Sequence, residues 1–304
     1  MDMELSVTVT LFSQLALGVA VNGFIVGTYL LEWRKNRSLH ISDTVLMSLA
    51  LNRFLWQLFH TLASLFSFVQ VTLTATYKFL YCFCAFLNWS SLWFAAILSV
   101  IHCVKISNYN NSLFIWLKLR LCRLVKWLIV ANLLTSLAFT IAPLWFVFPH
   151  NQSTSIDVPQ NNATLNPLQN IPSPLFVLCL GSLLPFLIFC VAVSLLINSL
   201  RMHVRQMRSR ATGFQVSHVE AHLRVIKGMV FFLVLFLLYF SVIILGADKK
   251  TDSNWIYFYL GLAFYPSLHS AVLIYSTRQL RTACLAIYHG AKTCICVPHG
   301  NICD

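Results

Sequence analysis

Long uncharged stretches alternate along the chain with short basic segments. Seven of these stretches come close to the roughly 20 apolar residues that a membrane-spanning helix needs. They cover residues 7–31, 44–69, 79–104, 127–148, 175–200, 228–246 and 255–275. The pattern lacks the short alternating strands of a membrane barrel. The sequence therefore predicts an all-α fold, a single seven-transmembrane helix bundle over residues 1–304 with a tail over residues 276–304.

The amino-acid composition supports a lipid environment for most of the chain. Hydrophobic residues make up 58% of the sequence and charged residues only 10%. Soluble domains carry about 25% charged residues, so this chain has too few charges to cover its surface in water. The lipid bilayer is therefore the expected surroundings of the seven stretches.

The basic residues are unequally divided between the segments that join the spans. If the N-terminus is outside, 17 of the 21 Lys and Arg residues fall in the inner segments and the tail. The positive-inside rule then predicts an extracellular N-terminus and a cytoplasmic tail, as in a multi-pass protein of the plasma membrane. The net charge of +12 thus reflects topology and contact with anionic lipid, and we expect no nucleic-acid partner.

Two glycosylation sequons fit this orientation. The segment between the fourth and fifth spans contains Asn-Gln-Ser at Asn151 and Asn-Ala-Thr at Asn162. Both would lie outside the cell, where glycans are added to loops. Asn162 is the preferred site because it is farther from the membrane, and Asn151 is the second.

Several functional classes lack the residues that they need. The sequence shows no zinc motif, phosphate loop or serine-nucleophile elbow, so we expect no enzyme, no metal and no cofactor. It shows no repeat and only one charge within a span, whereas a transporter favours repeats and several such charges. The seventh span has no lysine for retinal, and the third has no aspartate for a cationic amine. A ligand-sensing receptor with a cytoplasmic partner is the best remaining class.

The single charge within a span is Arg53. A charged side chain at the bilayer centre costs at least ~2.5 kcal/mol, so we expect Arg53 to face the bundle interior and to find polar partners. Asn22, Asn52, and His269 and Ser270 in the "PSLHS" stretch are the candidates. Two interpretations remain open: the group holds the helices together, or it is a polar hub whose bonds rearrange on activation.

Six segments, in this order, resemble the type 2 bitter taste receptors. They are VNGFIV (21–26), LALNRFLW (49–56), NWSSLWFAAILSVIHCVKISNYNNSLFIWLKLRL (88–121), PFLIFCVAVSLLINSLRMHVRQM (185–207), VEAHLRVIK (219–227) and YPSLHSAVLIYSTRQLR (265–281). The resemblance implies a G-protein-coupled receptor for small organic, bitter-type agonists that signals through a gustducin-like heterotrimeric G protein. It also implies that Arg53 lies beside Asn22, the asparagine of the first span. The alternatives are a vomeronasal type 1-like pheromone receptor and a non-signalling membrane carrier.

The candidate ligand-binding residues lie in the outer halves of three spans. A buried asparagine such as Asn88 often joins membrane helices, but the resemblance implies that it contacts ligand. Tyr239 and Tyr259 offer rings with hydroxyl groups, which suit an apolar pocket with a few polar anchors. Cys84 falls near the mouth of the expected pocket, where many family members have tryptophan. We therefore do not expect this chain to bind the same set of ligands as other members of the family.

At the inner side, basic residues are expected to face the G protein. The candidates are His102, where the family usually has tyrosine, together with Lys105, Arg201 and Arg205. The other interpretation is that these are solvated charges that only fix the topology.

The stretch after the seventh span has the pattern of an amphipathic helix. Leu280, Cys284, Ile287 and Tyr288 recur at helical spacing, and two arginines lie near its start. We therefore expect a short cytoplasmic helix that lies along the membrane interface.

Overall fold

The computed structural model describes residues 2–68, 74–107, 112–141, 173–208, 216–246 and 254–295. These ranges contain eight α-helices and no strand, which confirms the predicted all-α fold. The helices are α1 (Asp2–Asn36), α2 (Ile41–Phe68), α3 (Thr74–Ile106), α4 (Ser112–Ile141), α5 (Ser173–Arg208), α6 (Val216–Gly246), α7 (Asn254–Ser276) and α8 (Arg278–Ile295).

The first seven helices match the seven predicted spans in order, and α8 is the expected amphipathic helix. Five of them (α1, α3, α4, α5 and α6) are long and apolar enough to cross a membrane over their described residues. α2 falls short because Asn52, Arg53, Gln57 and His60 lower its hydropathy. The side chains of α7 are described from Phe264 onward.

Several helices extend beyond the predicted span limits, most of all α4, and α6 also begins before its apolar run and α5 continues past its own. α4 begins at Ser112, whereas the apolar run begins at residue 127. Lysine and arginine are good helix formers, so the basic residues between positions 112 and 127 delay the start of the apolar run without interrupting the helix. α1 ends at Asn36, and the following Arg37 adopts φ 55°, the left-handed conformation that stops a helix.

α3 is the central helix of the bundle and α4 is a peripheral one. α3 packs against α2, α4 and α5, and 61% of its most apolar segment is buried. α7 contacts α1, α2, α6 and α8. α4 packs chiefly against α3, and only 22% of its most apolar segment is buried. One face of α4 is therefore open to the surroundings of the bundle.

Two apolar clusters hold the helices together. The first joins α1, α2, α3 and α4 and includes the buried Leu280 of α8. The second, here called the aromatic cluster, joins α3, α5, α6 and α7. Its ring-bearing members are Trp89, Phe189, Phe232, Phe236, Tyr239 and Tyr265.

The end of the bundle at which α1, α3, α5 and α7 finish is here called the basic end. Polar contacts cross between helices at this end: Lys105 Nζ donates to Ser42 Oγ at 2.9 Å, and the Gln279 amide of α8 donates to the Glu32 carboxylate of α1. Asp43 lies just before the second predicted span, and burial, followed by the charge of Glu32, raises the pKa of its carboxyl. The first contact joins α3 to α2, and the second joins α8 to α1.

Candidate functional site

Arg53 of α2 lies at the centre of a buried polar network. Its side chain is only 1% exposed. Its Nε donates to Ser91 Oγ on α3 at 3.0 Å. Its Nη1 donates to Ser270 Oγ at 3.1 Å and to the Pro266 carbonyl at 3.4 Å, both on α7. Its Nη2 contacts His269 Nδ1 at 2.5 Å. One guanidinium group therefore ties α2 to both α3 and α7.

The geometry of the Arg53–His269 contact determines the state of the histidine. A guanidinium group has N–H donors and no acceptor, so Nδ1 of His269 must accept the hydrogen bond. His269 is therefore neutral, with its proton on Nε2. The partners of Arg53 in the described part of the chain are all neutral groups. Hydrogen bonds, rather than an ion pair, stabilise this buried charge.

The structure brings together all four residues expected at the polar hub, which are Arg53, Asn22, His269 and Ser270. Ser270 Oγ donates to Asn22 Oδ1 at 2.7 Å, so α1 joins the network. Asn52, also considered as a partner of Arg53, instead donates to the Leu87 carbonyl of α3 at 2.6 Å. Adjacent residues of a helix point about 100° apart, so Asn52 and Arg53 reach different neighbours.

A second buried network lies one turn along α2 and was not predicted. Gln57 Nε2 donates to Ser267 Oγ at 2.9 Å, and Gln14 Nε2 donates to Gln57 Oε1 at 2.7 Å. Gly18 provides the space, because a Cβ there would lie 2.4 Å from Gln57 Nε2. The signal in the sequence was a glutamine within each of two apolar spans. Together with the hub, this network gives α1, α2 and α7 two layers of polar contacts.

Two of the candidate ligand-binding residues meet between α3 and α6. Asn88 Nδ2 donates to the Tyr239 hydroxyl at 3.4 Å. Asn88 is half-buried and Tyr239 is buried, and both lie away from the basic end. Cys84 is half-buried one turn from Asn88 on α3. The side chain of Tyr259 lies outside the described residues.

Aromatic rings lead from this pair to the polar hub. The ring centroids of Tyr239 and Tyr265 are 4.7 Å apart, and those of Tyr265 and Phe232 are 6.0 Å apart. The ring of Phe232 is 3.8 Å from that of His269. Tyr239, Tyr265 and Phe232 are here called the aromatic column. The column connects the Asn88–Tyr239 pair to His269.

A cavity of about 640 Å³ opens at the basic end of the bundle. Helices α3, α5, α6, α7 and α8 contribute to its wall. Its polar lining residues include His102, His269, Ser276, Arg224, Arg278 and Arg281. Three guanidinium groups make the cavity a favourable place for carboxylates. His269 both accepts from Arg53 and lines this cavity.

The remaining predicted site residues lie apart from this cavity or beyond the described residues. Lys105 is exposed and contacts Ser42, and Arg201 is exposed near the end of α5. The side chain of Arg205 and the sequons at Asn151 and Asn162 lie outside the described residues. Of the four residues expected to face a G protein, the structure places His102 in the cavity wall.

Comparisons with known proteins give similarity over nearly the whole chain. The family model for "Taste receptor protein (TAS2R)" matches residues 1–292. Taste receptor type 2 member 41 of Pan paniscus is 34% identical over 282 residues, covering 90% of this chain and 92% of that protein. Taste receptor type 2 member 4 of Gorilla gorilla gorilla is 32% identical, covering 88% of this chain and 91% of that protein. Member 9 of Macaca mulatta is 29% identical, covering 92% of each chain.

The crystal structure of squid rhodopsin has the same arrangement of helices. The two chains align with a TM-score of 0.63 and 18% identity, covering 97% of this chain and 87% of that one. At this identity the likeness shows the fold, a seven-helix bundle, and does not indicate a ligand.

Proposed function

Because this chain belongs to the type 2 taste receptor family, whose members are G-protein-coupled bitter taste receptors, we propose that it detects small organic molecules of the bitter type. We also propose that it signals through a gustducin-like heterotrimeric G protein. The N-terminus would be extracellular and the basic end would face the cytoplasm, in the plasma membrane. The match of residues 1–292 to the taste receptor family favours this function over a pheromone receptor of the vomeronasal type 1 class and over a non-signalling carrier.

The position of His269 is the observation that carries the proposal. Its Nδ1 accepts from Arg53, its ring packs against Phe232, and its side chain lines the cavity at the basic end. A displacement of the aromatic column would therefore act on the hub and on the cavity through the same side chain. A receptor needs such a physical link between its ligand and its G protein.

The ligand is proposed to bind beside the Asn88–Tyr239 pair. These two side chains supply an amide and a hydroxyl, and aromatic rings surround them. Tyr259 and Cys84 are proposed to complete the site, since they lie on the same half of the bundle. Such a pocket favours largely apolar molecules with one or two weakly polar groups. We expect affinities on the order of micromolar, about −8 kcal/mol, and a broad range of agonists.

The cavity at the basic end is the proposed docking point for the G protein. Arg224, Arg278 and Arg281 would bind carboxylate groups of the partner, because guanidinium–carboxylate hydrogen bonds are among the strongest in proteins. His102 would contact the partner within the cavity. Lys105, Arg201 and Arg205 would contribute positive charge around the opening.

Agonist-dependent nucleotide exchange tests this function. The receptor is co-expressed with a gustducin-like G protein and exposed to a panel of small organic molecules, and bound guanine nucleotide is measured. We expect exchange to rise with agonist concentration and to require the receptor. Uptake of the same molecules into cells is the parallel measurement. Transport without any nucleotide exchange would identify a carrier and refute the proposal.

A further inference from the structure

The open face of α4 carries an ordered stripe of aromatic and basic side chains. Trp116, Arg120, Arg123 and Trp127 follow one another at spacings of four, three and four residues. At about 100° per residue, this spacing places all four within about 60° of one another on the helix. All four are exposed, and Trp127 is 69% exposed. We name this set the α4 stripe.

The α4 stripe lies on the side of the helix that faces away from the bundle. The buried residues of α4 include Leu121, Val125, Asn132 and Ser136, and they fall on the opposite side, toward α3. Asn132, for example, donates to Ser90 of α3 at 3.4 Å. The stripe therefore faces whatever surrounds the receptor in the membrane.

The length of α4 places the α4 stripe at the edge of the bilayer. The helix has 30 residues and is thus about 45 Å long, whereas the hydrocarbon core is about 30 Å thick. Beyond Trp127 the same face is apolar, with Leu134 64% exposed and Ile141 45% exposed. The apolar part fits the hydrocarbon core. The two arginines then lie at the level of the lipid headgroups.

The chemistry of the stripe matches an anionic lipid. Tryptophan prefers the interface between hydrocarbon and headgroups, and here one tryptophan lies on each side of the arginine pair. The Arg120 guanidinium is 5.2 Å from the ring centroid of Trp116, so the ring holds it along the helix face. Guanidinium groups bind phosphate oxygens through paired N–H groups. From this juxtaposition we propose that the α4 stripe is a binding surface for the headgroup of an anionic phospholipid.

The assignment to the cytoplasmic leaflet rests on the proposed orientation, because anionic phospholipids are concentrated there. The binding surface itself does not depend on that orientation. A bilayer with the same composition in both leaflets therefore tests it independently of the proposed function.

The experiment measures lipid that remains bound to the full-length receptor. The receptor is reconstituted in equal amounts of phosphatidylserine and phosphatidylcholine with identical acyl chains, and the co-purified lipid is quantified by mass spectrometry. Both lipids carry a phosphate group, and the net negative charge of phosphatidylserine distinguishes them, so two guanidinium groups that act on one headgroup should enrich phosphatidylserine at least about fivefold in wild type. An equal ratio of the two lipids in wild type would overturn the proposal.

Two double variants separate the stripe from general charge. Arg120→Gln with Arg123→Gln should lose at least fivefold of the enrichment, while Arg34→Gln with Lys35→Gln removes the same charge at the exposed end of α1 and should change it less than twofold. Equal losses in the two variants would refute a specific surface. If the first variant fails to fold, Arg120→Lys with Arg123→Lys replaces it. This variant keeps the charge but loses the paired N–H groups, so it should also lose enrichment, and unchanged enrichment would refute the proposal.

A second copy of the chain is the competing occupant of this face. Trp127→Cys, oxidised in membranes of phosphatidylcholine alone, should form no more dimer than oxidised wild type, whose exposed Cys122 lies on the same helix, if the face binds lipid. Efficient cross-linking into a dimer would assign the α4 stripe to a protein interface and would overturn the proposal.

Discussion

Replacement of Arg53 by alanine separates a role in signalling from a role in stability. The guanidinium makes four hydrogen bonds, to Ser91, Pro266, Ser270 and His269. Hydrogen bonds between membrane helices average about 0.6 kcal/mol, so the variant loses about 2.4 kcal/mol of interaction. Removal of a buried charge recovers at least ~2.5 kcal/mol. The two terms nearly cancel.

We therefore expect Arg53→Ala to change the free energy of unfolding by less than about 1 kcal/mol. No charged partner is left unpaired, which distinguishes this case from the breaking of a buried ion pair. Agonist-dependent signalling should nevertheless fall steeply, because α2 no longer connects to His269 and Ser270. Because the free energy of unfolding hardly changes, the amount of the variant at the cell surface should be close to that of wild type.

The assay combines thermal unfolding of purified receptor with nucleotide exchange at matched surface expression. Arg53→Lys is the control: it keeps the charge but loses the planar group that contacts α3 and α7 at once, so it should also signal poorly. Ser91→Ala removes a single bond and should give an intermediate response. A destabilised Arg53→Ala variant that fails to reach the surface would show that Arg53 only holds the helices together. Full signalling by that variant would refute the hub altogether.

Three further predictions concern the pocket, the α6–α7 contact and the topology. Asn88→Ala should shift the concentration–response curve of at least one agonist by roughly tenfold, the effect of losing one buried hydrogen bond of ~1 kcal/mol or slightly more, while Asn198→Ala at an exposed site of α5 should leave every curve unchanged. Gly228→Ala should raise agonist-independent nucleotide exchange, because its Cβ would lie 2.2 Å from Ser276 Oγ and 3.2 Å from Ser276 Cβ, so rotation of the hydroxyl alone does not relieve the contact and α6 is pushed from α7. Gly27→Ala meets nothing within 4 Å and should behave as wild type. Unchanged basal exchange in both variants would refute this prediction. An N-terminal epitope tag should be stained on intact cells, and a C-terminal tag should not; the reverse staining would refute the proposed orientation. Loss of both sequons between α4 and α5 should abolish any glycan-dependent gel shift.

The sequence predicted the helices well because burial in lipid imposes one simple requirement on every span. Twenty apolar residues in succession are visible without any knowledge of neighbouring helices. The limits of α4 were less accessible, since hydropathy detects the hydrocarbon core and not the helix that continues beyond it. The start of α4 at Ser112 thus emerged only from the structure.

The polar hub was partly predictable for a related reason. Arg53 had to find partners, and few polar residues were available in the spans. The sequence could not show that Arg53 contacts Ser91 rather than Asn52, because this depends on how α2 and α3 are rotated against each other. The rotation of α1 against α2 likewise decides whether Gln14 meets Gln57, and that of α6 against α7 decides whether Tyr239 meets Tyr265. Hydropathy contains no information about these rotations.

The neutral surroundings of Arg53 have an electrostatic consequence for ligand choice. Arg53 contacts Ser91, which lies less than one turn from Asn88 along α3, so a fixed positive charge lies on the order of 10 Å from the proposed pocket. At an effective dielectric constant of about 20, a ligand ammonium at that distance is disfavoured by about 1.7 kcal/mol, and a carboxylate is favoured to the same extent. If the ligand binds beside the Asn88–Tyr239 pair, we therefore expect protonated amines to bind more than about tenfold more weakly than neutral molecules of the same shape.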